Sequence, residues 1–278
     1  MNSKYKTIKY KQNKPSNIED LVSIEEPLEM VVRYRKKKEW IDNSISITMR
    51  TPKNDEDLVV GLLFCEGIVQ KISEIEKIES LGDKVGKFDL QNKIRVTLNN
   101  GENLDVKHLR RNFLTNSSCG VCGKASLEAI DMKGYKAISD KNFQVTSSVI
   151  KKLPSVLRKK QGLFDRTGGI HAAGLFSDTG DSILIQEDVG RHNAVDKVIG
   201  QAFLKSMLPL ENYILTVSGR TSFEILQKAL VARVSVVVAV GAPSSLAVDL
   251  AEKFGMTLLG FTSRDGFNVY TGAERVKG

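Results

Sequence analysis

Cys119 and Cys122 stand two residues apart in TNSSCGVCGKASLEA, Thr115 to Ala129, in a chain with one other cysteine, Cys65. A CxxC pair of this kind serves three chemistries. Structural zinc needs four Cys or His ligands, and the remaining candidates, Cys65, His108, His171 and His192, are not paired at ligand spacing. A redox dithiol usually sits in a strand-to-helix unit, which is not the context here. The third chemistry is nucleophilic sulfur. Cys119 lies between Ser118 and Gly120, just before the helical pattern KASLEAIDM. There the positive end of the helix dipole, free N–H groups and Lys124 would stabilise a thiolate. Such a thiolate can attack a persulfide and hold the transferred sulfur. Gly120 and Gly123 would let the loop swing, and Cys122 could receive the sulfur in a relay or release it as a disulfide forms. The residues alone leave all three open.

Five other segments carry polar chemistry at predicted strand-to-helix corners. SGRTS, Ser218 to Ser222, with Gly219, Arg220 and Thr221, offers small residues, a helix start and a guanidinium, a combination suited to phosphate. GAPSS, from Gly241, places Pro243 near a first helical position beside two serines. RTGGIHAAGLF sets Gly168 and Gly169 before His171, and EDVGRHNAVDK gathers Asp188, Arg191, His192, Asn193 and Asp196, more hydrogen-bonding groups than capping needs. FTSRDGFNVYTG follows the last long strand with Phe261, Thr262, Ser263, Arg264, Asp265 and Gly266, and would close over a ligand.

These corners are positioned by two kinds of pattern. LEMVVRYR and SISITMRT read as paired strands, followed by a helix from NDEDLVVGLLFCEGIV. Asn54 is its expected N-cap, and Leu58, Leu62 and Cys65 share one face. EIEKIESL and NKIRVTLN complete a ββαββ roll over residues 21–113. Helix redirected at Pro154 comes next, then the hairpin AGLFS-DTGD-SILIQED and a helix expected to be capped by Asn193 with Asp196 in its first turn. NYILTVSG, TSFEILQKALVA, VSVVVAVG, PSSLAVDLAEKFG and MTLLGF alternate apolar strand with amphipathic helix. That alternation predicts a sheet covered on both faces, a three-layer α/β/α domain over residues 114–278.

The fold class is therefore α/β, with an α+β N-terminal roll. The 278 residues suffice for two cores without metal or disulfide. Residues 1–20 carry five lysines in MNSKYKTIKYKQNK and read as a flexible basic tail. A net charge of +8, from 41 Lys and Arg against 33 Asp and Glu, favours an anionic ligand. Neither nucleic acid nor a membrane is expected as partner, there being no apolar run of about 20 residues, and a cytoplasmic location is expected.

Taken in order, SSCGVCGKASLE, RTGGIHAAGLF, EDVGRHNAVDKVIG, SGRTSFEI and GAPSSLAVDLAEKFGMTLLGF resemble the formate dehydrogenase accessory sulfurtransferases, the FdhD family, from about Glu25 to Val276. The resemblance implies a protein, usually a homodimer, that takes sulfur from a cysteine desulfurase as a persulfide. It passes the sulfur to the bis(molybdopterin guanine dinucleotide) molybdenum cofactor for formate dehydrogenase. Cys119 would carry the persulfide with support from Cys122, and Phe261 to Gly266 would bind the cofactor, with GDP or GTP as analogues. Gly169, His171, Arg191, His192 and Ser218 to Thr221 are further cofactor-binding candidates, because arginines and helix starts suit diphosphates. The resemblance also implies a second domain similar to cytidine deaminases. Those enzymes use His-x-Glu and Pro-Cys-x-x-Cys to hold zinc. Here the comparable positions read His171-Ala172-Ala173 and PSSLA from Pro243, so no zinc is expected. Two other functions stay open: a chaperone that shelters the cofactor without transferring sulfur, and a CxxC thiol-disulfide oxidoreductase.

Overall fold

The computed structural model describes residues 2–99, 134–139 and 142–278. Cys119, Cys122, His108 and the KASLEAIDM segment lie outside them. The chain opens with an antiparallel hairpin, β1 (Asn2–Lys11) and β2 (Lys14–Ser23), paired in continuous register. This corrects the expectation of a flexible tail over residues 1–20. Lysines alternate with Tyr5, Ile8 and Tyr10 along β1, which suits a strand, and Gln12 and Asn13 supply the two positive φ angles its two-residue turn requires. The hairpin rests on the body where the Ser23 and Thr167 hydroxyls meet at 2.7 Å.

β3 (Glu26–Lys36), β4 (Glu39–Arg50), α1 (Asp55–Cys65), β5 (Ile75–Leu81) and β6 (Lys93–Leu98) follow. They build a four-stranded sheet of order β4-β3-β6-β5, in which β3 and β6 are parallel. Alternation in β3 sends Leu28, Met30, Val32 and Tyr34 to one face, where Leu58, Val59 and Leu63 of α1 cover them. Leu58, Val59, Val60, Leu63 and Cys65 are all buried whereas Leu62 is only half-buried, so α1 has no single apolar face. The helix is enclosed on two sides, by its own sheet and by a helix of the second lobe.

The second lobe comprises β7 (Val145–Thr146), α2 (Ser147–Lys160), α3 (Gly162–Thr167), β8 (His171–Phe176), β9 (Ser182–Asp188), α4 (Arg191–Leu204), β10 (Ile214–Val217), α5 (Phe223–Val231), β11 (Val236–Ala239), α6 (Ser245–Lys253), β12 (Thr257–Gly260), β13 (Asn268–Thr271) and β14 (Val276–Lys277). Its main sheet has the order β13-β12-β11-β10-β8-β9. The parallel strands β10, β11 and β12 are joined through α5 and α6, and antiparallel strands complete both sides. Every residue of β10, β11 and β12 is buried. Ile150, Leu153 and Leu157 of α2 cover one face, and α4, α5 and α6 cover the other. This is a three-layer α/β/α unit.

The lobes lock where α1 crosses α4. A Cβ on Gly61 would stand 1.9 Å from the Asp196 carbonyl oxygen, and one on Gly200 would stand 1.9 Å from that of Asp57. Phe203 of α4 then enters the first-lobe core. Around this crossing lie buried ion pairs: Lys197 Nζ to Asp188 at 2.6 Å and Lys228 Nζ to Asp196 at 2.7 Å.

Four local expectations change. Asn54 does not cap α1 with its side chain. It sits at φ 56°, and its amide donates to Gln186 Oε1 at 2.6 Å, a contact between lobes. Pro154 does not break α2, which runs to Lys160 and turns only at Gln161. Gly190, not Asn193, is the N-cap residue of α4, and Asn193 reaches back to Met49 O and Asp188. Asp196 points into the protein, toward Lys228, and is no surface acid at a helix start.

Candidate functional site

The three parallel strands run in one direction, so their C-terminal ends, at Ser218, Val240 and Thr262, come out along one edge of the sheet. β8 runs antiparallel to β10 and therefore starts at that edge, with His171, while β9 ends there, before Val189. Beyond this edge α2 and α3 raise a second wall. Between the walls lies a cavity of about 650 Å³, within the usual range for ligand pockets. Ser218, Val240, Thr262, Ser263, Arg264, Val189 and Gly168 to His171 line it from the sheet side. Pro154, Ser155, Leu157, Arg158, Gln161 and Phe164 line it from the helical side. Ligands of open α/β sheets collect beyond the carboxyl ends of strands.

Backbone hydrogen bonds hold the loops of this edge together. Ser218 N–H donates to Ala172 O, and Ala172 N–H donates to the Ser218 hydroxyl, both at 2.9 Å. Gly241 N–H donates to Gly219 O at 3.1 Å, and Thr262 N–H to Ala239 O at 3.1 Å. The glycines are required by proximity. A Cβ at Gly219 would stand 3.3 Å from His171 Nδ1, and one at Gly241 would stand 3.0 Å from Arg220 N. Phe261, half exposed, holds φ 52°, a left-handed conformation uncommon for a bulky residue.

The helical wall is fixed from the sheet. Glu187 of β9 accepts from Leu163 N–H and Phe164 N–H, each at 2.9 Å, which satisfies the open N-terminus of α3. The Arg158 guanidinium, paired with Asp165, stacks over the Phe164 ring at 4.3 Å.

His171 is half-buried, and its pKa is lowered, first by burial and then by the charges of Arg191 and His192, against a raising influence from Asp188. The cavity is thus served by a neutral imidazole near neutral pH. His192 instead faces α5: Nε2 lies 3.0 Å from the Ser222 hydroxyl and 3.6 Å from Glu224, whose carboxyl this contact helps bring down to about 2.

Of the residues singled out from sequence, Gly169, His171, Ser218, Thr262, Ser263 and Arg264 meet in this cavity. Gly219 packs beneath His171, with Arg191 beside it. Arg220 is exposed and not among the lining residues, and Thr221 is buried, donating to Ala242 O and accepting from Ser244 N–H. Asp265 and Gly266 close a turn in which Ser263 N–H donates to Gly266 O at 2.9 Å. The EDVGRHNAVDK cluster divides. Asp188 accepts from the Thr51, Gly190 and Asn193 donors as well as Lys197, so it fastens the lobes and does not face a ligand. Sequence reading missed Gln161, Phe164, Arg158 and Glu187. Arg158, Gln161 and Phe164 carry no motif and read as ordinary residues at a helix end. Cys119 and Cys122 lie outside the described residues. Among the described residues no group of three or more His, Cys, Asp or Glu is placed to hold a metal ion, and no helix is long and apolar enough to cross a membrane.

Comparison with known proteins adds to this geometry. The sequence profile described as the FdhD/NarQ family matches residues 24–277. A protein of Sulfolobus acidocaldarius named sulfur carrier protein FdhD is 41% identical over 273 residues, covering 98% of each chain. One of the same name from Streptomyces coelicolor is 43% identical over 273 residues, covering 98% of this chain and 94% of that one. The crystal structure of a protein from Desulfotalea psychrophila, assigned as a formate dehydrogenase accessory protein, shares this fold. Its TM-score is 0.74 at 23% identity, with 99% of each chain covered.

Proposed function

The chain belongs to the FdhD/NarQ family, and on that premise we propose that it is a sulfur carrier that receives sulfur from a cysteine desulfurase and delivers it to a bis(molybdopterin guanine dinucleotide) molybdenum cofactor destined for formate dehydrogenase. The Cys119 thiolate attacks the outer sulfur of the donor's persulfide. The S–S bond of the donor breaks, its cysteine leaves as thiolate, and Cys119 keeps the sulfane sulfur with no net oxidation or reduction. Cys122 supports the transfer, and two copies of the chain act together as a homodimer. The cofactor is the acceptor and is bound as substrate.

One observation carries this reading. Residues from four separated sequence segments, Gly169 and His171, Ser218, Thr262 and Ser263 with Arg264, and Gln161 with Phe164, converge on a single cavity at the strand ends. Arg264 supplies the positive charge for a diphosphate, and the Ser218 corner supplies small polar groups. His171, neutral for the reasons given above, can hold a hydrogen bond without adding charge. GDP is the simplest probe of this cavity. Calorimetry with the full chain is expected to show binding that weakens about tenfold in Arg264→Gln, the scale of one lost charge-assisted hydrogen bond. Equal affinity in both proteins removes Arg264 from the site, and no binding by either removes the cavity from the proposal.

A further inference from the structure

The β1–β2 hairpin takes no part in the cavity, and it precedes the residues that the FdhD/NarQ profile matches. Every residue from Lys4 to Asn17 is exposed, and the ribbon is a sheet of two strands only. A lone hairpin is marginally stable in water, and its open edges invite pairing with another chain.

The register sorts its side chains onto two unlike faces. Residues directly opposite each other share a face, so Tyr10 with Pro15 and Ile8 with Asn17 put apolar surface on one side. Ile8 and Tyr10 are 60% and 71% exposed there. Lys9 with Ser16, and Lys11 with Lys14, occupy the other side. Like charges directly opposite cost a ribbon stability, and among the described residues no acid pairs with Lys9, Lys11 or Lys14. The acids of the hairpin are engaged: Glu19 pairs with Lys4 at 3.2 Å, and Asp20 accepts from Leu21 N–H at 2.9 Å.

Each face calls for a different neighbour. A bilayer that took up Ile8 and Tyr10 would turn Lys9, Lys11 and Lys14 away from its headgroups, and a nucleic acid that met the lysines would leave the apolar face bare. A second copy of a chain with net charge +8 brings no surplus of acid. A protein cleft with one acidic and one apolar wall satisfies both faces. The root of the hairpin fixes where such a protein stands. Both strands touch α3, and Ser23 bonds Thr167, which directly precedes the cavity-lining Gly168.

We propose that the hairpin is the docking arm for the protein that accepts the cofactor, held beside the cavity in an acidic and partly apolar cleft of that protein. The proposal rests on delivery to formate dehydrogenase and adds the surface through which delivery is made.

The test follows binding of the full chain to immobilised formate dehydrogenase lacking its cofactor, by surface plasmon resonance at two salt concentrations. One variant combines Lys9→Glu, Lys11→Glu and Lys14→Glu, and a second combines Ile8→Ser and Tyr10→Ser. Thermal melts and GDP calorimetry show that each is folded with its cavity intact. The charge variant is expected to associate about tenfold more slowly and to lose the salt dependence of the parent, and the apolar variant to dissociate about tenfold faster. Parent-like kinetics in both folded variants overturn the proposal, as does a parent that does not bind the dehydrogenase. Weakened binding to a cysteine desulfurase, with dehydrogenase binding unchanged, overturns it by giving the arm to the sulfur donor. Lysine-dependent binding to RNA or to phosphatidylserine vesicles, with none to the dehydrogenase, overturns it in favour of those surfaces. Absence of GDP binding in all three proteins counts against the nucleotide site alone, because the dehydrogenase kinetics judge the arm separately.

Discussion

Replacing Gly61 or Gly200 by alanine tests the packing that joins the lobes. An added Cβ would stand 1.9 Å from a carbonyl oxygen of the facing helix, where even 3.4 Å is close for a real contact, so α1 and α4 must part by about 1.5 Å, from 3.4 − 1.9. Both obstacles are backbone, which cannot rotate away as a side chain can. A gap of that size forfeits a large share of the dispersion between the helices and strains the core, a cost of about 3–4 kcal/mol at the upper end of overpacking. Alanine returns up to about 1 kcal/mol of helix propensity, leaving a net loss of about 2–3 kcal/mol for each variant. The separation that admits one methyl also admits the other. The double variant should therefore lose clearly less than the sum of the two, with a coupling of about 1–2 kcal/mol. Urea unfolding of the four proteins measures this. Gly61→Ala as stable as the parent, or strict additivity, would refute the close crossing.

Other consequences follow from the same geometry. Lys228→Met leaves Asp196 buried without its cation, and a loss of about 3–5 kcal/mol is expected by urea unfolding; a loss below about 1 kcal/mol would mean that water reaches the pair. Glu187→Gln reduces the acceptor at the start of α3, costing about 0.5–2 kcal/mol and loosening the helical wall, so GDP affinity should fall alongside stability; unchanged affinity would separate α3 from the site. His171 has its folded pKa below the unfolded value near 6.5, so the unfolded chain binds more protons and stability declines as pH drops through that value. His171→Asn should flatten that slope between about pH 7 and 5, and an identical pH profile would contradict the burial of the imidazole.

Much of this arrangement was legible in the sequence because the signals were local. β10, β11 and β12 announced themselves as short apolar runs between amphipathic helices, and such a sheet places its loops at one edge whatever the loops contain. The loops at His171, Ser218 and Thr262 were visible for that reason. What sequence did not show depended on neighbours distant along the chain. Asn54 has the composition of a cap, yet Gln186, on the other lobe, takes its amide. Asp188 and Asn193 looked like ligand-binding groups because their real partners, Thr51 and Met49, belong to another segment. Arg220 sits in a phosphate-like motif, but the turn stitched through Thr221 and Ala242 leaves its side chain at the surface. Gln161 and Phe164 read as ordinary helix-end residues until the second wall was placed opposite the strand ends. The hairpin of β1 and β2 was hidden by its lysines, which suit an exposed ribbon as well as a tail.

The central claim is that Cys119 carries sulfur. Its most direct test is mass spectrometry of the full chain after incubation with cysteine and a cysteine desulfurase, for the parent and for Cys119→Ala and Cys122→Ala. A one-sulfur adduct should appear on Cys119, persist in Cys122→Ala and be missing in Cys119→Ala. A chain that stays unmodified, or one whose only product is a Cys119–Cys122 disulfide, would contradict the account.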